Sequence, residues 1–150
     1  MRAVVQRVRS ASVVVEGATV GAIDHGLLVY LGAEKDDAAS DLEYTCAKIV
    51  GLRIFGGDDG KMTHAVTDVR GAILVVSQFT LFGDIRRGRR PSFDDAAPPA
   101  EAERIYDDVC ARLRTQHGLR VETGRFRAHM LVRSEGDGPV TILIDSRKRF

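Results

Sequence analysis

The segment 77–80 carries two hydroxyl groups and one amide directly after an apolar, strand-like run. A serine becomes a nucleophile only beside an oriented base, and the sequence has no G-x-S-x-G elbow to expose Ser77. Either His64 or His129 could still reach Ser77 once the chain folds. The residue types equally allow Ser77 and Thr80 to be ordinary polar residues at the end of a strand. Both interpretations stay open on the residues alone.

Metal-binding side chains are scattered along the chain. None of the four histidines forms an HExxH motif or a Cys/His spacing that would hold zinc. Cys46 and Cys110 lie far apart in helix-like stretches, where small buried side chains are the usual interpretation. We therefore predict no metal site and no cofactor. Because the sequence has no CxxC pair and no disulfide pattern, it favours a cytoplasmic location.

The segment 84–93 holds the densest basic cluster in the interior of the chain. Guanidinium groups make bidentate, charge-assisted contacts with phosphate oxygens, so this loop could bind a phosphate backbone. A solvated loop without a ligand is the alternative. The candidate phosphate contacts are Arg86, Arg87, Arg89 and Arg90. A second basic cluster, at residues 147–149, is predicted to be exposed or frayed.

The Gly138-Pro139 step offers a third kind of chemistry. Most such steps are ordinary turns, but an X-Pro bond adopts the cis isomer at small cost. A cis bond would turn the neighbouring carbonyl groups to one side. Two aligned acceptors could then hold an ammonium group.

Length and charge limit the classes of protein that could carry these residues. A chain of 150 residues fits one compact domain, 1–150. Its 22 basic and 21 acidic residues leave a formal charge of +1, so any contact with RNA must be local. The sequence has no apolar run long enough for a bilayer and no signal-peptide pattern at its start. We expect a soluble protein that binds neither membrane nor DNA.

Period-2 alternation predicts the strands that position these groups. The chain opens with a meander that turns at Gly17, and segment 77–80 follows a buried central strand. Residues 136–139 are predicted as the turn before the last strand, and the glycine-rich stretch 56–60 as a flexible turn. The predicted strands span residues 2–9, 11–16, 18–23, 27–31, 72–76, 119–123, 129–134 and 139–145.

Two stretches change to a helical period. The first lies between residues 36 and 55, and its N-cap could be Asp37 or Ser40. The second begins near the prolines at 98 and 99 and ends at Gly118, a favourable C-cap residue. Together the elements predict an α+β domain in which an antiparallel, partly barrelled β-sheet is covered by two main helices.

Two separate motifs resemble the signatures of a known family. The D-aminoacyl-tRNA deacylases, or D-tyrosyl-tRNA deacylases, have one signature similar to Ser77-Gln78-Phe79-Thr80-Leu81-Phe82-Gly83-Asp84 and another similar to Asp137-Gly138-Pro139-Val140-Thr141. The segments 3–8, 48–55 and 124–132 also resemble that family. The similarity therefore covers essentially the whole chain, and the length agrees with it.

The resemblance implies an enzyme that hydrolyses the ester joining a D-amino acid to the 3′ end of tRNA. Glycyl-tRNA would be a further substrate, and the activity would serve chiral proofreading of translation. The family fold is a two-fold homodimer in which the Gly-Pro turn of one subunit enters the pocket of the other. The expected partners are therefore a second copy of the chain and D-aminoacyl-tRNA.

Site residues follow from the same resemblance, position by position. The pocket floor and catalytic group would be Ser77, Gln78, Phe79 and Thr80. The partner's Gly138 and Pro139 would cover the amino acid, and Arg7 would brace that turn. Phe126 and Met130 would receive the terminal adenosine through stacking and apolar contact. Arg127, His129 and Gly136 depart from the family pattern, which has a small residue, an acidic residue and asparagine near these positions.

The implied mechanism uses backbone groups in place of a strong acid or base. N–H groups around Phe79 and Thr80 would stabilise the tetrahedral intermediate, while the 2′-hydroxyl of the RNA assists attack by water. We expect Thr80 not to act as a nucleophile, and the L side chain to be excluded by the shape of the pocket. Two alternatives are an animal-type relative that removes a wrongly attached L-amino acid and a non-catalytic module that binds RNA ends.

Overall fold

The computed structural model describes residues 1–57 and 60–149. Its elements are β1 (Arg2–Val15), β2 (Ala18–Ile23), β3 (Gly26–Gly32), α1 (Ala39–Gly51), β4 (Phe55–Gly56), β5 (Met62–His64), β6 (Ala72–Ser77), a 3-10 turn (Phe79–Phe82), α2 (Pro99–Thr115), β7 (Val121–Thr123) and β8 (Leu131–Asp145). This content confirms the predicted α+β class. The predicted turn at 56–60 includes residues 58 and 59, which lie outside the described residues.

The main sheet combines antiparallel and parallel pairings. Its order is β2-β1-β3-β6-β7, with β8 paired to β1. The predicted antiparallel arrangement holds where β1 pairs with β2, β3 and β8. The β3–β6 and β6–β7 pairings are parallel instead, because α1 and α2 lie in the crossover connections that return the chain to the same end of the sheet.

The sheet curls until its two ends meet, as the predicted partial barrel requires. A Cβ atom on Gly21 of β2 would collide with the carbonyl oxygen of Thr123 in β7. Only glycine permits this close approach of two backbones. The concave face encloses one apolar cluster, which includes Val13, Leu28 and Leu74. The convex face packs a larger cluster against both helices.

The long strand β1 replaces the two strands predicted at 2–9 and 11–16. Its buried side chains switch phase along the strand, from Ala3 and Val5 in the helix-side core to Val8 and Val13 in the barrel core. The switch coincides with irregular pairing to β8 between Gln6 and Ser10. Such irregularities bend a strand, so one strand contributes to both cores.

The two helices cover the convex face at the predicted positions. Neither Asp37 nor Ser40 caps α1; the helix begins after Ala38, whose N–H donates to the Asp41 carboxylate at 2.9 Å. It ends at Gly51 and not at residue 55, because Phe55 enters β4. Proline occupies the first position of α2, where its missing N–H costs no hydrogen bond.

The last strand, β8, runs from Leu131 to Asp145 without a break, whereas two strands and a turn were predicted there. The Gly138-Pro139 step lies inside it as an exposed irregularity, and its peptide bond is cis. Most side chains of β8 are exposed or half-buried.

The C-terminal basic cluster is exposed, as predicted, but it is not frayed, because its two arginines are held in ion pairs. Arg149 donates to both carboxylate oxygens of Glu34, at 2.8 and 2.6 Å, and Arg147 donates to one of them at 3.3 Å. Glu34 is only 4% exposed. The side chain of Arg149 also pairs with buried Asp145 at 3.1 Å. These ion pairs hold the segment against the body of the domain.

Candidate functional site

A cavity of about 670 Å³ opens where β6 ends. One wall is formed by the end of β6 and the start of the 3-10 turn. The loop 93–99 and the first turns of α2 form a second wall, and residues 126–132 form a third. The size lies within the range of small-molecule sites, which is roughly 300–1,000 Å³.

Five of the predicted site residues line this one cavity. Ser77, Gln78 and Phe79 come from the end of β6, while Phe126 and Met130 come from the wall that leads into β8. These two groups are separated by about fifty residues of sequence and meet only in the fold. The remaining predicted residues lie outside the lining: Thr80, Arg7, Gly138, Pro139 and the four arginines of the basic loop.

Backbone contacts fix the floor of the cavity. The N–H of Gln78 donates to the carbonyl oxygen of Leu31 at 2.8 Å, which continues the β3–β6 pairing by one residue. The amide of Gln78 donates to the hydroxyl of Thr80. The ring of Phe79, 54% exposed, packs edge to face on Phe93 with centroids 4.9 Å apart.

The 3-10 turn begins at Phe79, directly at the floor. The first N–H groups of such a turn have no acceptor within the turn itself, so those of Phe79 and Thr80 are available as donors. Two neighbouring N–H donors are what an oxyanion hole needs.

The structure gives no support to a serine nucleophile. His129 lines the cavity together with Ser77, whereas His64 belongs to β5 on the exposed surface. Within residues 1–57 and 60–149, neither histidine makes a hydrogen bond to Ser77. A serine without a bonded base lacks the activation that nucleophilic catalysis requires.

The helix α2 contributes a wall of the cavity that its sequence did not predict. Ala102 and Tyr106 line it, together with Phe93 and the prolines at 98 and 99. Tyr106 donates its hydroxyl hydrogen to the carbonyl oxygen of Val75 at 2.8 Å, and burial raises the pKa of this phenol strongly. The phenol therefore stays protonated and ties the helix to β6. Nothing in the sequence of α2 indicates that it lines a cavity.

The predicted contact of Arg7 with the Gly-Pro turn is present in the geometry. Arg7 Nε donates to the carbonyl oxygen of Asp137 at 3.0 Å and lies 3.1 Å from its carboxylate. A second nitrogen donates to the carbonyl oxygen of Ile54. The guanidinium therefore connects β1, β8 and the segment before β4. Its role toward a substrate stays a prediction.

The basic loop contains one arginine that is neutralised and three that are not. Arg86 forms a close ion pair with Asp84, with contacts of 2.6 to 3.0 Å. The hydrogen bonds from Arg86 lower the pKa of the Asp84 carboxyl to about 2. Among the described residues, Arg87, Arg89 and Arg90 have no ion-pair partner and are exposed.

The described residues also bear on metal binding and on membrane insertion. In the described part of the chain, no three His, Cys, Asp or Glu side chains are grouped so that they could hold a metal ion. None of the described helices has the length and apolar character needed to cross a membrane.

The sequence profile of the family described as "D-Tyr-tRNA(Tyr) deacylase" matches residues 4–145. The chain belongs to this family. It is 58% identical to the D-aminoacyl-tRNA deacylase of Thermotoga petrophila over 150 residues, with all of both chains covered. It is also 58% identical to the D-aminoacyl-tRNA deacylase of Sorangium cellulosum, again with full coverage. Membership in the deacylase family confirms the predicted resemblance and the hydrolase class.

Two solved structures share the fold of this chain. A protein described as "c-Myc DNA Unwinding Element Binding Protein" superposes with a TM-score of 0.90 at 40% identity, covering 97% of this chain and 98% of that one. A probable eukaryotic D-amino acid tRNA deacylase superposes with a TM-score of 0.80, covering 95% and 97%. At 19% identity, the second match shows the fold alone.

Proposed function

We propose that this protein hydrolyses the ester bond of D-aminoacyl-tRNA, and of glycyl-tRNA, in the cytoplasm. The observation that carries the proposal is the single cavity shared by Ser77, Gln78 and Phe79 on one wall and by Phe126 and Met130 on another. The first group has backbone donors for an ester carbonyl, and the second presents an aromatic ring and a thioether for a nucleobase. The names of the full-length relatives support the same substrate class.

In this proposal, catalysis depends on oriented backbone donors. The N–H groups that open the 3-10 turn at Phe79 and Thr80 would bind the oxyanion of the tetrahedral intermediate. Water would attack the ester with assistance from the 2′-hydroxyl of the terminal ribose. The hydroxyl of Thr80, which accepts a hydrogen bond from Gln78, would act only to orient this segment.

The proposed active form is a two-fold homodimer. Gly138 and Pro139 are exposed on β8 and do not line the cavity of their own chain. The same strand exposes Leu131 and Leu143, at 55% and 58%. Large apolar side chains on an exposed strand favour burial against a partner. A second copy docked on β8 would bring the Gly-Pro turn to the neighbouring cavity.

Local positive charge supports tRNA as the ligand. The three unpaired arginines of the basic loop follow the 3-10 turn by only a few residues, so they lie on the chain directly beyond the cavity floor. Their guanidinium groups are suited to phosphate oxygens of the acceptor stem. DNA is not a proposed ligand, and a duplex DNA of the same length is the control for binding specificity.

The experiment that tests the function is a deacylation assay with D-tyrosyl-tRNA on the wild type and on Thr80→Ala. We expect rapid release of D-tyrosine by the wild type and retention of most activity by Thr80→Ala, because the backbone N–H survives the substitution. Complete inactivity of the wild type with tight tRNA binding would instead identify an RNA-end binding module. Preference for an L-aminoacyl ester would identify the animal-type alternative.

The dimer is tested with Leu143→Arg on β8. We expect a folded monomer in sedimentation analysis with greatly reduced deacylation, since the turn of the partner could no longer reach the cavity. The matched control is Met62→Arg on β5, a side chain of similar exposure, 55%, on another surface. A wild type that sediments as a monomer while fully active would contradict the proposed dimer.

A further inference from the structure

Two basic side chains, Lys35 and Arg127, line the cavity, whereas none of the described carboxylates does. They approach from different parts of the chain. Lys35 follows β3, where its N–H donates to the carbonyl oxygen of Asp95 at 3.0 Å. Arg127 belongs to the segment between β7 and β8. Both side chains are exposed, which places them at the opening of the cavity and not at its floor.

Neither cation is neutralised by the protein. Across residues 1–57 and 60–149, the Lys35 ammonium and the Arg127 guanidinium have no hydrogen-bond or ion-pair partner. Other arginines of the chain do contact carboxylates, namely Arg7, Arg86, Arg147 and Arg149. Two unpaired cations at the opening of a largely apolar cavity produce a local positive potential that attracts an anion.

The backbone of Arg127 determines which substitution is suitable at this position. Its φ angle is +60°, in the left-handed region that side chains other than glycine rarely adopt. Glu16, Asp36, Arg70 and Lys148, all outside the cavity, share this region, so the conformation bears on the choice of substitution and not on the ligand. Glycine would adopt the same conformation without strain.

We propose that Lys35 and Arg127 form a subsite for the phosphate on the 5′ side of the terminal nucleoside. This inference rests on the proposed function. In this arrangement the terminal nucleoside and its amino acid occupy the cavity, whose volume of about 670 Å³ is that of a small-molecule site, and the phosphodiester that continues the RNA chain lies at the opening. Arginine supplies bidentate donors to phosphate oxygens and lysine supplies a mobile point charge.

The test uses a non-hydrolysable probe, 3′-deoxy-3′-(D-tyrosylamino)adenosine, with and without a 5′-monophosphate. We expect the 5′-phosphate to strengthen calorimetric binding to the wild type by about tenfold at low salt. The double variant Lys35→Met, Arg127→Gly should lose this increment and bind the unphosphorylated probe as the wild type does. Arg127→Gly alone should not lower thermal stability, because glycine removes the charge and relaxes the backbone.

The matched control is Arg53→Gln, an exposed cation outside the cavity, which should keep the full phosphate increment. Equal affinity of the wild type for both probes would overturn the subsite while leaving the proposed function intact. An equal loss in Arg53→Gln, or loss of the unphosphorylated probe in the double variant, would overturn it too. Failure of the wild type to bind either probe would contradict the proposed function itself.

Discussion

The C-terminal segment 147–149 and the basic loop 84–93 are similar in composition and opposite in environment. In the C-terminal segment, both arginines pair with the buried carboxylate of Glu34. In the basic loop, Arg86 is the one arginine with a carboxylate partner among residues 1–57 and 60–149, and the other three arginines are exposed to solvent. A buried counter-ion, and not the density of arginine, therefore separates the cations that stabilise the fold from the cations that are available to a ligand.

Glu34 connects the first of these regions to the cavity. Its neighbours Ala33 and Lys35 line the cavity, and Glu34 itself forms a β-bridge with Ala96, another lining residue. Arg147 also donates to the carbonyl oxygen of Lys35 at 2.7 Å. The paired cations therefore support one wall of the site from behind.

The largest effect is expected for Glu34→Gln. Removal of the buried charge weakens the pairs with both arginines, which keep only their contacts with Asp37 and Asp145, and should destabilise the fold by about 2 kcal/mol and lower the Tm by roughly 6 °C. Thermal unfolding measures this. Glu103→Gln, on the exposed face of α2, is the control and should leave the Tm unchanged. A Tm of Glu34→Gln equal to that of the wild type would remove the distinction between the two regions.

A smaller and different effect is expected in the basic loop. Replacing Arg87, Arg89 and Arg90 with glutamine should leave the Tm unchanged and weaken tRNA binding by about tenfold, with the salt slope reduced by roughly 1 for each lost phosphate contact. The control is Arg86→Gln, which should have less effect because Asp84 already neutralises Arg86. Titrations of tRNA binding at several salt concentrations measure both the affinity and the salt slope of each variant. Equal slopes for the triple variant and the wild type would exclude the loop from tRNA binding.

The smallest effect is expected on the stability of the fold at acidic pH. Burial alone would raise the pKa of Asp145, but hydrogen bonds from Arg147 and Arg149 outweigh it and hold the pKa below the ordinary 3.8. The contribution of Asp145 to stability is therefore complete well above pH 3.8 and is lost as the pH falls through the lower, folded-state pKa. Urea unfolding below about pH 4 should show a flatter pH dependence in Asp145→Asn than in the wild type. Exposed Asp94→Asn should follow the wild type; equal slopes in all three proteins would contradict the assignment.

Much of the fold could be predicted because its signals are local. The turn at Gly17, the proline start of α2 and the apolar run at 72–76 each depend on a few neighbouring residues, and the structure has all three. The continuity of β1 and β8 could not be predicted in the same way. Alternation marks where a strand changes phase, but only pairing with a neighbouring strand shows that the chain continues through the change.

The site was predictable where it follows a motif and not where it depends on distant contacts. Ser77, Gln78 and Phe79 were located by their resemblance, as were Phe126 and Met130. The walls from α2 and the unpaired cations were not, because they arise only when elements far apart in sequence pack together. The partner of Arg149 is likewise Glu34, which lies 115 residues away.

The most direct measurement compares the initial rates of hydrolysis of D-tyrosyl-, L-tyrosyl- and glycyl-tRNA by the wild type. If the cavity selects by excluding an L side chain, glycine offers nothing to exclude. A steric clash of about 4 kcal/mol corresponds to roughly a thousandfold in rate. We therefore predict rapid hydrolysis of D-tyrosyl-tRNA, appreciable hydrolysis of glycyl-tRNA and an L-tyrosyl rate at least about a thousandfold lower. Rapid hydrolysis of L-tyrosyl-tRNA, or complete refusal of glycyl-tRNA, would contradict the account.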